Sequence, residues 1–165
     1  MKLIKLSLVA AVIASSLAAD AITVSGDVSL TSNALWRGAS LTDDTATIQG
    51  TIGIEHESGV YAGAWGTGLT TGSEIDLFVG YATEISGISI DGGFVAYTAS
   101  NSTGSHEHIL DEFGELYLGA SYDVGVELGA TLYKGVLSKD KDSTIIEATI
   151  GKDLSMLYVG AAYGI

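Results

Sequence analysis

Residues 46–55 read ATIQGTIGIE. Ala46, Ile48, Gly50, Ile52 and Ile54 fall on one parity, Thr47, Gln49, Thr51 and Glu55 on the other. A period of two is what a strand needs to turn one face to an apolar medium and the other to a polar one. The pattern recurs along the chain. Val24, Gly26, Val28 and Leu30 oppose Thr23, Ser25, Asp27, Ser29 and Thr31. Ile75, Leu77, Val79 and Tyr81 oppose Glu74, Asp76 and Gly80, and Ile88, Ile90, Gly92 and Phe94 oppose Ser89, Asp91 and Gly93. Further on, Leu116, Leu118, Ala120 and Tyr122 oppose Glu115, Gly119 and Ser121, and Val126, Leu128, Ala130 and Leu132 oppose Glu127, Gly129 and Thr131. No long stretch keeps a 3.6-residue period, so the expected class is all-β.

Composition limits what these strands can build. The 165 residues include 22 Gly, no Pro and no Cys, with 47% hydrophobic residues, 16% charged residues and a net charge of -13. A soluble domain usually carries about 25% charged residues. The length fits one domain. Without Cys there is no disulfide framework, thiolate metal site or thiol nucleophile. Seven Lys and Arg against 20 Asp and Glu argue against a nucleic-acid partner, whose phosphates call for basic residues.

The first residues read as an export signal. Lys2 and Lys5 flank a short start, residues 6–17 are almost wholly apolar, and Ala19-Asp20-Ala21 offers small residues for a signal peptidase. The apolar run is shorter than the roughly 20 residues of a membrane-crossing helix. A signal peptide is expected over 1–21, cleaved after Ala21, with Ala18 as the alternative, and a β domain over 22–165.

Alternation suits both a soluble sandwich, apolar side inward, and an outer-membrane barrel, apolar side to lipid. The connections favour the barrel. Tight ones at residues 57–59, 86–87, 123–125 and 152–155 alternate with longer ones at 36–44, 67–73, 98–111 and 134–143, the arrangement of short periplasmic turns and long outer loops. Ala and Gly at many apolar positions are tolerable against lipid but would pack a soluble core poorly. The expectation is therefore an antiparallel up-and-down transmembrane β-barrel with about eight to ten strands in this chain.

The stretch SLTSNALWRGASLTDD, residues 29–44, interrupts the first alternation. If residues 22–35 climb from the periplasm, Trp36 arrives at the interfacial depth that Trp favours. Arg37 would meet phosphates at headgroup level, or fold back over the rim onto lumen carboxylates, and Gly38 lets the backbone turn. The competing reading is an ordinary loop with one buried aromatic plug.

This stretch, followed by TIQGTIGIEHESGVYAGAWGTGL (47–69) and EIDLFVGYATEISGISIDGGFVAYT (74–98), resembles the TorF porin family of Gram-negative outer membranes. The likeness spans roughly residues 24–122. It rests on Leu30-Thr31-Ser32, Arg37-Gly38, Gln49-Gly50, His56-Glu57-Ser58-Gly59, residues 61–65 and residues 74–81. Leu41 stands where the family commonly has Gln, and the Pro often found before the second strand is missing. The resemblance implies a barrel and transport, and hands over no catalytic residues. Nine strands can be drawn after residue 21, the last over 156–165, whereas bacterial barrels have an even number, so a short or C-terminally truncated member is expected.

Chemistry-bearing clusters are few. His106-Glu107-His108 with Asp111 and Glu112 could hold a divalent ion, but in so Ser, Thr, Asn and Gly-rich a loop the plainer reading is a solvated segment. His56 beside Glu57 reads as a turn residue, and Lys139-Asp140-Lys141-Asp142 as a mixed-charge loop. No nucleophile elbow or phosphate-loop spacing is present, so neither an enzyme nor a cofactor is expected. Asp27, Glu55, Glu74, Asp76, Asp91, Glu115, Glu127 and Glu147 fall on the polar parity of their strands, where no Lys or Arg after residue 21 joins them. A wall of one sign concentrates cations, so a cation-preferring diffusion pore is expected, its partners being outer-membrane lipids, small ions or solutes and, in an oligomer, further copies. The alternative is a non-conducting barrel acting as an adhesin or structural surface protein.

Overall fold

A computed structural model describes residues 9–19, 21–100, 113–138, 142–154 and 158–165. The histidine cluster at 106–112, the Lys139 to Lys141 stretch and Met156 lie outside the described residues. Among the described residues there is no helix. The long strands are β1 (Val9–Ala19), β2 (Ile22–Thr31), β5 (Thr47–His56), β6 (Val60–Leu69), β7 (Gly72–Ile85), β8 (Ile88–Tyr97), β10 (Phe113–Asp123), β11 (Glu127–Ser138), β12 (Thr144–Asp153) and β13 (Tyr158–Gly164). Three two-residue strands complete the set: β3 (Leu35–Trp36), β4 (Ala39–Ser40) and β9 (Ala99–Ser100).

Every long strand pairs antiparallel with its neighbours in sequence, in the order β1-β2-β5-β6-β7-β8-β10-β11-β12-β13, with β9 added at the edge of β7. The up-and-down topology is the expected one, and the nine strands drawn after residue 21 correspond to the nine from β2 to β13. Closure is not. The sheet is open, and no ladder among the described residues joins its two ends. Residues 9–19, expected to belong to the export signal, lie along β2 as β1 and occupy its outer edge. The expected long loop at 67–73 is also absent. Thr67, Gly68 and Leu69 continue the ladder onto Glu74, Ser73 and Gly72, which leaves Thr70 and Thr71 as a two-residue turn.

Burial is inverted relative to a water-soluble protein. Ala34 and Ala96 are the only buried apolar residues among those described, whereas Ser29, Thr31, Asn33, Thr42, Thr67, Asp76 and Glu115 are buried. Large aliphatic side chains are exposed: Ile48 and Ile52 are each 63% accessible and Leu118 59%, against 0% for Glu115. Register puts the apolar set on one side, since Val28, Gly50, Gly66 and Ile75 lie opposite one another in successive strands, as do Val79, Phe94 and Leu116. The other side carries Asp27, Thr51, Trp65 and Asp76 in one row.

The polar side is concave. The hairpin between β2 and β5 stands four strands from β10 in the sheet, yet Arg37 at its tip bonds to Glu115 on β10, and the hydroxyls of Tyr61 on β6 and Tyr117 on β10 meet above the two strands between them. Aromatic rings on this side lie down on the wall where glycine faces them. Tyr61 is paired with Gly80, Phe78 with Gly63 and Tyr117 with Gly93. A Cβ built at Gly93 would collide with the Val79 carbonyl oxygen as well as the Tyr117 hydroxyl, and one at Gly63 would stand 2.5 Å from both the Ile52 carbonyl oxygen and Phe78 Cζ, so backbone and ring together exclude a side chain at these positions.

Candidate functional site

The interruption at residues 29–44 folds into a hairpin that leans into the concave side. Leu35 pairs with Ser40 and Trp36 with Ala39, which leaves Arg37 and Gly38 as a two-residue turn with φ of 50° and 80°. Positive φ at both central residues matches the twist of a hairpin. Glycine takes it freely, whereas at Arg37 the left-handed backbone costs about 1–2 kcal/mol. The base of the hairpin is knitted by Asn33: its Nδ2 donates to Asp44 Oδ1 at 2.7 Å, and its Oδ1 accepts from Ser40 Oγ at 2.7 Å. Thr42 Oγ1 accepts from the Ala34 amide at 3.2 Å, and the Leu41 amide donates to the Ala34 carbonyl. Asn33, Ala34 and Thr42 are all buried, so the hairpin is carried on a packed polar base.

Arg37 explains the arrangement. Its two terminal nitrogens donate to the two carboxylate oxygens of Glu115 on β10, at 3.1 and 2.6 Å. Tyr97 on β8 donates to the same carboxylate at 2.9 Å. The guanidinium lies over the ring of Trp36 at 4.4 Å and over that of Tyr133 on β11 at 4.7 Å, both within cation–π range. Burial alone would lower its pKa, but the hydrogen bond and charge of Glu115 outweigh burial and hold the pKa above the ordinary value. Trp36 meets Tyr97 and Phe113 edge to face, with centroids 5.9 and 6.3 Å away, and Tyr97 stacks on Phe113 at 4.9 Å. Trp36 makes these contacts while remaining 38% exposed. Beside it opens a cleft of about 440 Å³ bounded by Trp36, Tyr97, Phe113, Leu41, Leu69 and Glu74, with Ser40, Thr70 and Thr71 at its polar edge.

The eight carboxylates singled out from the sequence do not form one group. Glu115 is engaged by Arg37, and Asp91 accepts from Tyr61 at 2.5 Å within the Tyr61–Tyr117 contact. Glu74 and Asp76 stand two residues apart on β7, and of the two only Glu74 borders the cleft; Asp76 is 7% exposed, and its Oδ1 has no hydrogen-bond partner. Asp27 shares the row of Asp76, and Glu147 lies half-buried opposite Thr131. Glu55 and Glu127 are exposed near the tight turns at the far end, apart from the rest. Among the described residues no cluster of three or more His, Asp or Glu could hold a metal ion.

The alternation pointed to polar residues on this side and passed over its aromatic ones. Tyr117 between Leu116 and Leu118, and Tyr133 after Leu132, occupy the polar parity, and that parity was the available signal. The Arg37–Gly38 turn had only its glycine as a cue.

No curated protein and no solved structure matches the chain. A family model, described as a bacterial protein of unknown function (Gcw_chp), matches residues 15–164. Those residues take in the hairpin, Glu115 and the strands from β2 through β13, and on that match the chain belongs to the Gcw_chp family.

Proposed function

We propose that the chain, exported by a signal peptide cleaved after Ala21, forms a β-barrel in the outer membrane and admits small solutes by passive diffusion, cations in preference, as its resemblance to the TorF porins implies. The observation that carries this reading is the inverted burial: the convex side exposes Ile48, Ile52 and Leu118 while the concave side buries Glu115, Asp76 and Thr31. In water such a surface would be a liability far larger than the few hundred Å² that monomers usually expose. Against lipid it is the stable choice, with polar groups kept to an inner passage. In lipid the two sheet edges must also be paired, because unpaired backbone groups there cost several kcal/mol each. Removal of β1 with the signal would free the edge of β2, where β13, the ninth strand in succession, would join it in parallel.

Among the described residues Arg37 is the one cation on the concave side, and Glu115 neutralises it, so Asp27, Glu74, Asp76, Asp91 and Glu147 set a negative potential along the passage. The hairpin narrows the passage at the end opposite the tight turns. Reversal potentials of the reconstituted protein under a KCl gradient test this: cation preference that weakens as salt rises is expected. Anion preference would overturn it. A second reading, a non-conducting surface barrel, draws on the Arg37–Glu115 pair and the Tyr61–Asp91–Tyr117 cluster, both of which reach across the concave side. Folded barrels that carry no current would establish that reading instead.

A further inference from the structure

We propose that the Arg37–Glu115 contact is a crossbar over the lumen, and that Arg37 and Trp36 on it set the size of the largest ion that passes without setting its sign. The hairpin that carries them is no part of the wall, because β3 and β4 form a two-stranded sheet of their own. Its position is fixed at the base, where Asn33, Ala34 and Thr42 are buried and the Leu41 carbonyl accepts from the Thr70 amide of the β6–β7 turn at 3.2 Å. It is fixed again at the tip. Arg37 bonds to Glu115 on β10 and lies over Tyr133 on β11, and Trp36 packs on Tyr97 and Phe113. Held at both ends, the hairpin cannot swing clear of the concave side while those contacts last. Arg37 makes its bonds from a left-handed backbone, φ 50°, and Asp43 and Asp44 on the returning limb share that strained region. Strain of this kind persists only where the surroundings over-determine it, and it gathers at functional positions.

Strand order gives the crossbar its reach, and here the inference rests on the barrel and passage proposed above, with β13 closing on β2. Around that ring of nine strands β10 is four steps from β5 in one direction and four from β2 in the other. Glu115 therefore stands opposite the two strands between which the hairpin leaves the wall. Nine strands about 4.8 Å apart and tilted about 40° close at a backbone diameter of about 18 Å. About eight strands leave an interior just filled by side chains, and one more widens it only slightly. An arm across the middle leaves room for small ions and none for bulky ones. Sign is decided elsewhere. Glu115 is fully buried and accepts two bonds from Arg37 and one from Tyr97, so the bar is neutral as a unit, and attraction of cations falls to Asp27, Glu74 and Glu147.

The test records, in planar lipid bilayers, the conductance of the folded protein in KCl and its permeability to tetramethylammonium relative to potassium. The Leu41 amide already donates to the Ala34 carbonyl, the bond of a two-residue turn, so Gly-Gly in place of residues 35–40 removes the arm and keeps this bond of its base. With Glu115→Gln added, the net charge is unchanged. In this armless protein conductance should rise about threefold or more and the tetramethylammonium ratio about fivefold or more, with the potassium-to-chloride preference held within about twofold. Arg37→Ala with Glu115→Gln, which keeps the hairpin but frees its tip, should move both in the same direction. Trp36→Ala should raise the ratio by less, and Glu57→Gln at a distant turn should change neither. Heat-dependent gel mobility verifies that each variant is folded. A parent that conducts potassium, with armless variants of the same conductance and the same ratio, overturns this inference and leaves the passage standing; so does a changed ion preference at constant size limit. Current from the armless protein but none from the parent upholds the crossbar, as a bar that shuts the lumen, and sinks the passage reading of the native chain. No current from either, though both are folded, overturns the two together.

Discussion

Arg37 and Glu115, 78 positions apart in sequence, meet nitrogen to oxygen at both ends of the guanidinium fork, and Glu115 is fully buried in the contact. A buried pair of this kind is worth little against a well-packed apolar replacement, but loss of one partner leaves an uncompensated charge. Arg37→Ala should therefore lower stability by about 3–5 kcal/mol. The double variant Arg37→Ala with Glu115→Gln should recover part of the loss, and Arg37→Lys should fall between, since a point charge cannot reproduce the two-pronged contact. Urea unfolding of these proteins and of the single variant Glu115→Gln in one lipid or detergent system measures the coupling, and additive losses would mean the pair contributes nothing as a pair.

Trp36 holds two edge-to-face contacts, with Tyr97 and Phe113. Each such pair contributes about 0.5–1.5 kcal/mol beyond area, so Trp36→Ala should cost about 1–3 kcal/mol. Ion preference should not change, because no charge is removed. Trp65 remains as an internal fluorophore with which to follow the unfolding.

The convex side offers the sharpest test of the surrounding medium. Ile52 is 63% exposed. In water, replacing so exposed a residue by Arg should shift stability by no more than about 0.5 kcal/mol. In a bilayer Ile52→Arg should cost about 2–4 kcal/mol. Equilibrium unfolding in lipid vesicles distinguishes the two, and the parent protein should migrate differently on gels before and after boiling.

Gly80 faces the Tyr61 ring closely enough that a Cβ there would collide with it, while the nearest backbone atom, the Gly92 carbonyl oxygen, is 3.0 Å away. Gly80→Ala should cost about 1–3 kcal/mol by forcing the ring off the wall. On a Tyr61→Ala background the same change should be close to neutral. A penalty of equal size in both backgrounds would trace the cost to the backbone and not to the ring.

The strands and their two-faced character were legible because alternation is a local property: Ile48, Ile52 and Ile54 carry it unaided, and nothing distant modifies it. The turn at Thr70-Thr71 was misread because threonine, a good strand residue, gives no turn signal, and the ladder from Thr67 to Leu69 simply runs further than the polar composition indicates. The partners of the carboxylates lay beyond reach for a different reason. Glu115 and Asp76 read alike from sequence, both one polar residue among apolar neighbours, yet one is satisfied three times over and the other has an oxygen without a donor. What separates them is curvature, which brings the β3–β4 hairpin across to β10 and has no signature in any single strand. Openness of the sheet was likewise invisible, since it depends on which strand takes the edge of β2.

The nearest-neighbour order of the sheet has a consequence for the history of such a chain. Because each strand from β2 to β13 pairs only with the strands before and after it, a hairpin duplicated or deleted in the gene changes the circumference of the wall without rethreading any other pairing. The side chains that reach across, Arg37 to Glu115 and Tyr61 to Tyr117, are then the elements that resist such changes, since each fixes the distance between strands that are not adjacent. Relatives that gained or lost a hairpin between β6 and β10 should have lost the tyrosine contact with it.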